Sequence, residues 1–199
     1  MRIKIINPNT TQSFTDALQR LADKVARPDT EILAVSPASG PASIESFYDE
    51  SLSVPGVLEE IAKGDREEGI DAYVLACFGD PGLYAARELT DKPVLGIAEA
   101  AFHMAVMSGA CFSVVTTAPR VRFMTEHLVS RYGFREQCKK IRTTPMKVLD
   151  LANSPDAAIA KVVAECLRAR EDDYAEAIVL AAPGCPSIGN ISSRKSAFR

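Results

Sequence analysis

Residues 73–82 read Tyr-Val-Leu-Ala-Cys-Phe-Gly-Asp-Pro-Gly. An apolar run stops at Cys77, and Gly79, Pro81 and Gly82 then turn the chain. Strands buried on both faces of a parallel sheet have that composition, and open α/β folds bind ligands at the carboxyl ends of such strands. The stretch therefore predicts a parallel strand that delivers Cys77 to the ligand edge of its sheet. Residues 177–186, Ala-Ile-Val-Leu-Ala-Ala-Pro-Gly-Cys-Pro, echo it. Aligning Val179-Leu180-Ala181 on Val74-Leu75-Ala76 sets Ala182 opposite Cys77 and leaves Cys185 three residues too late. Two similar strand ends in two halves of a chain point to a duplicated unit with a site between the copies.

Working outward, strands are expected at Ile3–Ile6, Glu31–Ser36, Val94–Ile97, Cys111–Thr116, Lys140–Thr144 and Ala177–Leu180. Helices are expected at Gln12–Ala26, Pro55–Glu68, Gly82–Leu89, Ala98–Met107, Arg120–Arg131 and Pro155–Arg170, with a long polar loop over Pro37–Leu52. Alternating strands and helices mean parallel sheets. The fold class is α/β: two pseudo-symmetric lobes, each a parallel sheet with helices on both faces, and the active site in the cleft between them. The expected division is 1–97 for the lobe with Cys77, 98–185 for the second lobe and 186–199 for an irregular tail.

With 47% apolar and 25% charged residues, the chain has the balance of a globular protein. A net charge of −3 without a basic cluster argues against nucleic-acid or anionic-membrane partners. No apolar run reaches membrane-spanning length and no leader precedes the first strand, so a cytoplasmic location is expected. The five cysteines are odd in number and lack a CxxC, which excludes a disulfide framework. His103 and His127 have no acidic neighbours at ligand spacing, so no metal site is expected.

A thiol at a strand end can serve as nucleophile or base once its pKa, about 8.5 when free, is lowered by a helix N-terminus or a cation. A lowered pKa and fast alkylation are the expectation for Cys77. No His or Asp stands at relay spacing, which disfavours a protease-type reaction. Helix starts near Thr10, Gly79 and Thr116 offer backbone N–H donors for carboxylate or enolate oxygens. Proton transfer at a carbon acid fits these parts better than acyl transfer. The competing reading makes Cys77 a buried packing residue.

Asn7-Pro-Asn-Thr-Thr, Ala42-Ser-Ile-Glu-Ser-Phe-Tyr-Asp-Glu50, Ala76-Cys-Phe-Gly-Asp-Pro-Gly-Leu83 and Gly96-Ile-Ala-Glu-Ala100 resemble the aspartate/glutamate/hydantoin racemase family, nearest its hydantoin and allantoin branch. The resemblance runs in register from residue 1 to about 180. It implies a cofactor-independent proton transfer on a small cyclic ureide or amino-acid derivative. A missing closing helix would expose apolar surface, so a homo-oligomer is expected. Two cysteines would face the substrate α-carbon from opposite sides, Cys77 being one. Asn9, Phe78, Gly79, Thr116 and Thr117 would line the pocket, and Ser43 and Ile44 would shape substrate choice. Asp80 is expected to cap the helix that follows it.

The second strand end departs from the family's Gly-Cys-Ala-Gly-Met: this chain has Ala181-Ala-Pro-Gly-Cys185. The catalytic position is Ala182, and Cys185 is displaced. Deleting one G from GGC TGC GCC GGG ATG yields Ala-Ala-Pro-Gly-Cys, so a one-base frameshift near codon 181 is expected, with a truncated tail beyond it. The chain is then an impaired racemase. The other readings are a one-thiol decarboxylase or isomerase on the same scaffold, and a non-catalytic small-ligand binder.

Overall fold

The structure, a computed structural model, describes residues 1–145 and 155–181. Ala182, Cys185 and the expected tail 186–199 lie outside the described residues. The chain divides into two units, Met1–His103 and one that starts at Met104. The division falls inside a helix that begins at Ile97.

In the first unit, strands β1 (Arg2–Ile6), β2 (Glu31–Val35), β3 (Ala72–Leu75) and β4 (Val94–Gly96) are parallel in the order β2-β1-β3-β4. Helices α1 (Gln12–Val25), α2 (Phe47–Lys63) and α3 (Leu83–Leu89) make the connections. The chain leaves β1 to one side and then crosses back to β3. Right-handed crossovers therefore place α1 on one face and α2 with α3 on the other. Ile6, Val57, Ile61, Ile70, Leu75, Leu83 and Ala86 form the buried interior.

A cation sits in that interior. Lys4, wholly buried at the middle of β1, places Nζ 2.7 Å from Glu60 Oε2 and donates to the Glu60 carbonyl at 2.9 Å. Its register neighbour Tyr73 holds its hydroxyl 2.6 Å from Asp65 Oδ1 and 3.1 Å from the Ile61 carbonyl. Both tie the end of α2 to the sheet. A Cβ at Gly64 would stand 2.6 Å from that hydroxyl, which is why glycine occupies the position.

Helix α2 begins at Phe47 instead of Pro55, and the loop before it ends at Ser46. Ser46 Oγ accepts the Asp49 N–H at 3.2 Å and donates to Asp49 Oδ2 at 2.7 Å, while the Glu45 N–H reaches the same carboxylate at 3.1 Å. Such a reciprocal cap starts a helix firmly. Pro55 lies within α2, where its fixed φ is helical although its missing N–H forfeits one bond. A π-turn, Gly64–Glu68, closes the segment.

Helix α4 (Ile97–Ser108) leads into the second unit, whose parallel strands β5 (Phe112–Thr116), β6 (Cys138–Thr143) and β7 (Ala177–Ala181) run in the order β6-β5-β7. β6 thus opens at Cys138, two residues before the expected start at Lys140. Helices α5 (Arg122–Arg131) and α6 (Pro155–Asp172) complete the unit. All of β5 is buried, and Val115 packs with Val162, Cys166 and Ala169 of α6. Among the described residues, no helix is long and apolar enough to cross a membrane.

Arg142 of β6, itself buried, clamps the end of α6. Its guanidinium grips Asp173 through two bonds of 2.7 and 2.6 Å, and reaches Asp172 at 3.2 Å and Glu165 at 3.4 Å. Ser113 Oγ adds a bond to Asp173 at 3.0 Å. Hydrogen bonds from Arg142 hold the Asp173 carboxyl below its ordinary value of 3.8, against the opposing effect of burial. Removing one partner of a buried pair leaves the other uncompensated. Arg142→Met should therefore cost about 3–5 kcal/mol in urea unfolding. Because the folded pKa of Asp173 lies below the unfolded one, its contribution is complete above pH 3.8 and disappears as the pH falls further. Asp173→Asn should remove that part of the acid dependence.

Candidate active site

β1 and β3 are adjacent, but their onward connections lead to opposite sides of the sheet. Their carboxyl ends form the switch point where open α/β sheets hold ligands. Two turns meet there, Asn7–Thr11 and Cys77–Gly82, and the backbone bond from Ala76 N–H to the Ile6 carbonyl (2.8 Å) joins their bases.

Buried Asn7 organises the first turn. Its Nδ2 donates to Asn9 Oδ1 at 3.1 Å and Thr15 Oγ1 at 3.0 Å. Asn9 Oδ1 also accepts the Thr11 N–H at 2.9 Å, so its oxygen is engaged and its NH2 end is the part that can address a ligand. The loop before α2 is tied to the same turn by Thr10 N–H to the Pro41 carbonyl (3.0 Å) and Thr11 Oγ1 to the Ala42 carbonyl (2.6 Å). Ser43 and Ile44 follow directly and are half-buried beside it.

In the second turn the Asp80 N–H donates to the Cys77 carbonyl at 3.0 Å, and Phe78 and Gly79 occupy its corner. Phe78 meets Phe102 of α4 edge to face, with centroids 5.6 Å apart. Asp80 has a left-handed backbone (φ 44°) and a buried carboxylate that accepts the Ala98 N–H at 3.0 Å and the Glu99 N–H at 2.9 Å. It therefore caps α4 and not the adjacent α3, as the sequence reading had it. A Cβ on Gly96 would collide with this carboxylate, so only glycine fits there.

Cys77 retains some solvent exposure, yet protein encloses its sulfur closely enough that burial pushes the thiol up to about 12. The Gly79 N–H, which bonds the sulfur, opposes the rise, while the charges of Asp80 and Glu50 add to it. The expected low pKa is thus corrected: burial, with the charges of Asp80 and Glu50 adding to it, favours the S–H form of Cys77. Glu50 and the α4 cap were missed in the sequence; the Ser46-x-x-Asp49 cap could have placed Glu50 on a helix start.

At the corresponding edge of the second unit, Thr116 and Thr117 are buried. Thr116 Oγ1 donates to the Ala181 carbonyl at 3.1 Å, and the Thr116 carbonyl accepts the Thr144 N–H at 3.0 Å. Thr116 thereby anchors the end of β7, the residue before Ala182. Among the described residues, no group of three or more His, Cys, Asp or Glu could hold a metal ion. An open hollow of about 530 Å³ lined by Met1, Arg2, Asp29, Glu31 and Asp71 lies at the amino-terminal edge of the first sheet and includes none of these groups.

Parallel sheets whose switch points carry a thiol and paired hydroxyls define a scaffold for small-ligand chemistry, and the comparisons say which. The pattern of the Asp/Glu/hydantoin racemase family matches residues 3–195, and the chain belongs to that family. It is 57% identical to a hydantoin racemase of Pseudomonas sp. (strain NS671) over 184 residues, covering 92% of this chain and 74% of the relative. A hydantoin racemase of Rhizobium meliloti is 45% identical, with 98% and 79% covered. An allantoin racemase from Klebsiella pneumoniae superposes with a TM-score of 0.94 at 45% identity, over 98% of this chain and 80% of the other. By family the chain is an isomerase of the racemase class.

Two outcomes check this geometry. Gly96→Ala should destabilise the protein by about 1–3 kcal/mol in thermal melts, because the collision displaces the Asp80 cap. At pH 8.5 Cys77 should react with iodoacetamide about ten- to hundredfold more slowly than a free thiol, since the scarcity of thiolate outweighs its greater nucleophilicity. Labelling as fast as that of a free thiol would contradict the raised pKa.

Proposed function

We propose that this chain acts on a 5-substituted hydantoin or allantoin by cofactor-independent proton transfer at the carbon beside the carbonyl, with Cys77 as acid/base. The observation that carries the reading is the position of Cys77 at the switch point of a sheet belonging to this family. Carbon acids are weak, and a sulfur with a pKa of about 12 is a correspondingly stronger base once ionised. In the forward step Cys77 first releases its proton to solvent and its thiolate then takes the carbon proton: the C–H bond breaks, the S–H bond forms, and the electron pair passes to the carbonyl oxygen as an enolate. The Gly79 N–H steadies the thiolate. Asn9 and Phe78, with Ser43 and Ile44 from the neighbouring loop, bind the ring; Thr116 and Thr117 hold the corresponding strand end within the second unit.

Racemisation needs a second acid on the other face of that carbon. By alignment this falls to Ala182, whose methyl group has no proton to give. We propose that the chain is impaired for this reason. Cys185 stands three residues later in the sequence, and a displacement of about 1 Å already costs about 100-fold.

Incubation with an optically pure hydantoin in deuterated water tests both parts. The protein should exchange the ring proton with retention and racemise it slowly. Cys77→Ser should abolish exchange, and Ala182→Cys should raise racemisation about 100-fold or more. Rapid racemisation by the unaltered chain would refute the impairment, and exchange that survives Cys77→Ser would refute the role of Cys77. Carbon dioxide released from an arylmalonate would favour the one-thiol decarboxylase instead. Sequencing the source gene past codon 180 in the alternative frame tests the frameshift directly.

A further inference from the structure

β2 is an outer strand of the first sheet, paired with β1. An outer strand turns backbone N–H and C=O groups away from its sheet, and a further strand can pair with them. The segment Thr30-Glu-Ile-Leu-Ala-Val-Ser36 carries a single charge, near its start, and has no proline or lysine. No residue of β2 is fully buried. Accessible apolar segments of that composition are the ones that pair with copies of themselves.

One side chain occupies this edge. The Glu31 N–H bonds the Met1 carbonyl, and the Val35 carbonyl accepts the Asn7 N–H, so Glu31 and Val35 face β1. Alternate residues of a parallel strand bond the same neighbour, which turns Ile32 and Ala34 outward. There Gln19 of α1 accepts the Ala34 N–H with Oε1 at 2.8 Å and donates from Nε2 to the Ile32 carbonyl at 3.1 Å. A residue of a neighbouring parallel strand makes the same two bonds, to the carbonyl before and the N–H after the residue it faces. A backbone N–H can only donate, so the Ala34 bond fixes which end of the amide is oxygen. Asp23 Oδ1, 2.8 Å from Nε2, holds the other end.

We propose that the Gln19 amide is an inhibitory contact that stands in for a strand and closes β2 against pairing with β2 of a second copy of this chain. An incoming strand needs the Ile32 carbonyl and the Ala34 N–H, so the amide has to leave before pairing begins.

Gln19→Ala and Gln19→Met test this. Alanine favours the helix and methionine keeps the length of the side chain, while both lack the amide. Circular dichroism confirms the fold. Hydrogen–deuterium exchange read by NMR should show the Ala34 N–H exchanging about five- to tenfold faster in both variants, as loss of one hydrogen bond requires. Both should also form thioflavin-binding assemblies severalfold faster than the unaltered protein. Within those assemblies the Ala34 N–H should be protected again, because the added strand takes it. Gln12→Ala is the matched control: Gln12 bonds Asp16 at 2.8 Å, as Gln19 bonds Asp23, and is exposed on the same helix. It should alter neither exchange nor assembly. Unchanged Ala34 exchange, assembly no faster than in the unaltered protein, Ala34 left unprotected within the assemblies, or equal acceleration by Gln12→Ala would overturn the proposal.

Discussion

The bonds from the Asp80 carboxylate to the first N–H groups of α4 are the constraint on which the candidate site depends. They require a left-handed backbone at a non-glycine residue, a conformation that aspartate tolerates better than most residues. They also require Gly96 to have no side chain. In return one residue closes the turn after Cys77, starts α4 and brings Phe78 against Phe102. The position of the thiol is thus set by the cap of a helix three elements further along the chain.

Each unit also fixes a helix to its sheet with a buried ion pair, Lys4 with Glu60 in the first and Arg142 with Asp173 in the second. Such pairs recover their desolvation cost only when further hydrogen bonds complete them. Here the Glu60 carbonyl and Ser113 Oγ supply these. The pairs fix orientation: a helix that slid along the strands would leave a charge buried without its partner. This matters because both switch points lie at strand ends, where a small shift moves every side chain at the edge of the sheet.

The fold was legible because parallel strands are nearly continuous apolar runs, and those runs were found within one or two residues of their true limits. Reading Pro55 as a helix start hid α2's true beginning, since proline's preference for first turns is only statistical whereas the Ser46–Asp49 cap is a specific set of bonds. At the candidate site, the strand-end pattern put Cys77 at the edge of its sheet, and the family resemblance added Asn9 and the neighbouring loop. It did not reveal that Asp80 bonds residues eighteen and nineteen positions away, because long-range partners leave no local signature. Nor did it give the ionisation of Cys77: a strand end looks equally favourable to a thiolate until the carboxylates and the burial around it are placed in space.

That ionisation has a bearing on durability in air. Peroxide, disulfides and electrophilic metabolites attack thiolates, and a cysteine that is almost wholly protonated at neutral pH offers them little. Low-pKa thiols that are fast nucleophiles are also the ones lost first to sulfenic and sulfinic acids. By surrounding Cys77 with acid and protein, the fold keeps a reactive element in a dormant form. Such a protein should tolerate handling without added reductant, and its shelf life should be governed by other lesions than oxidation of this sulfur.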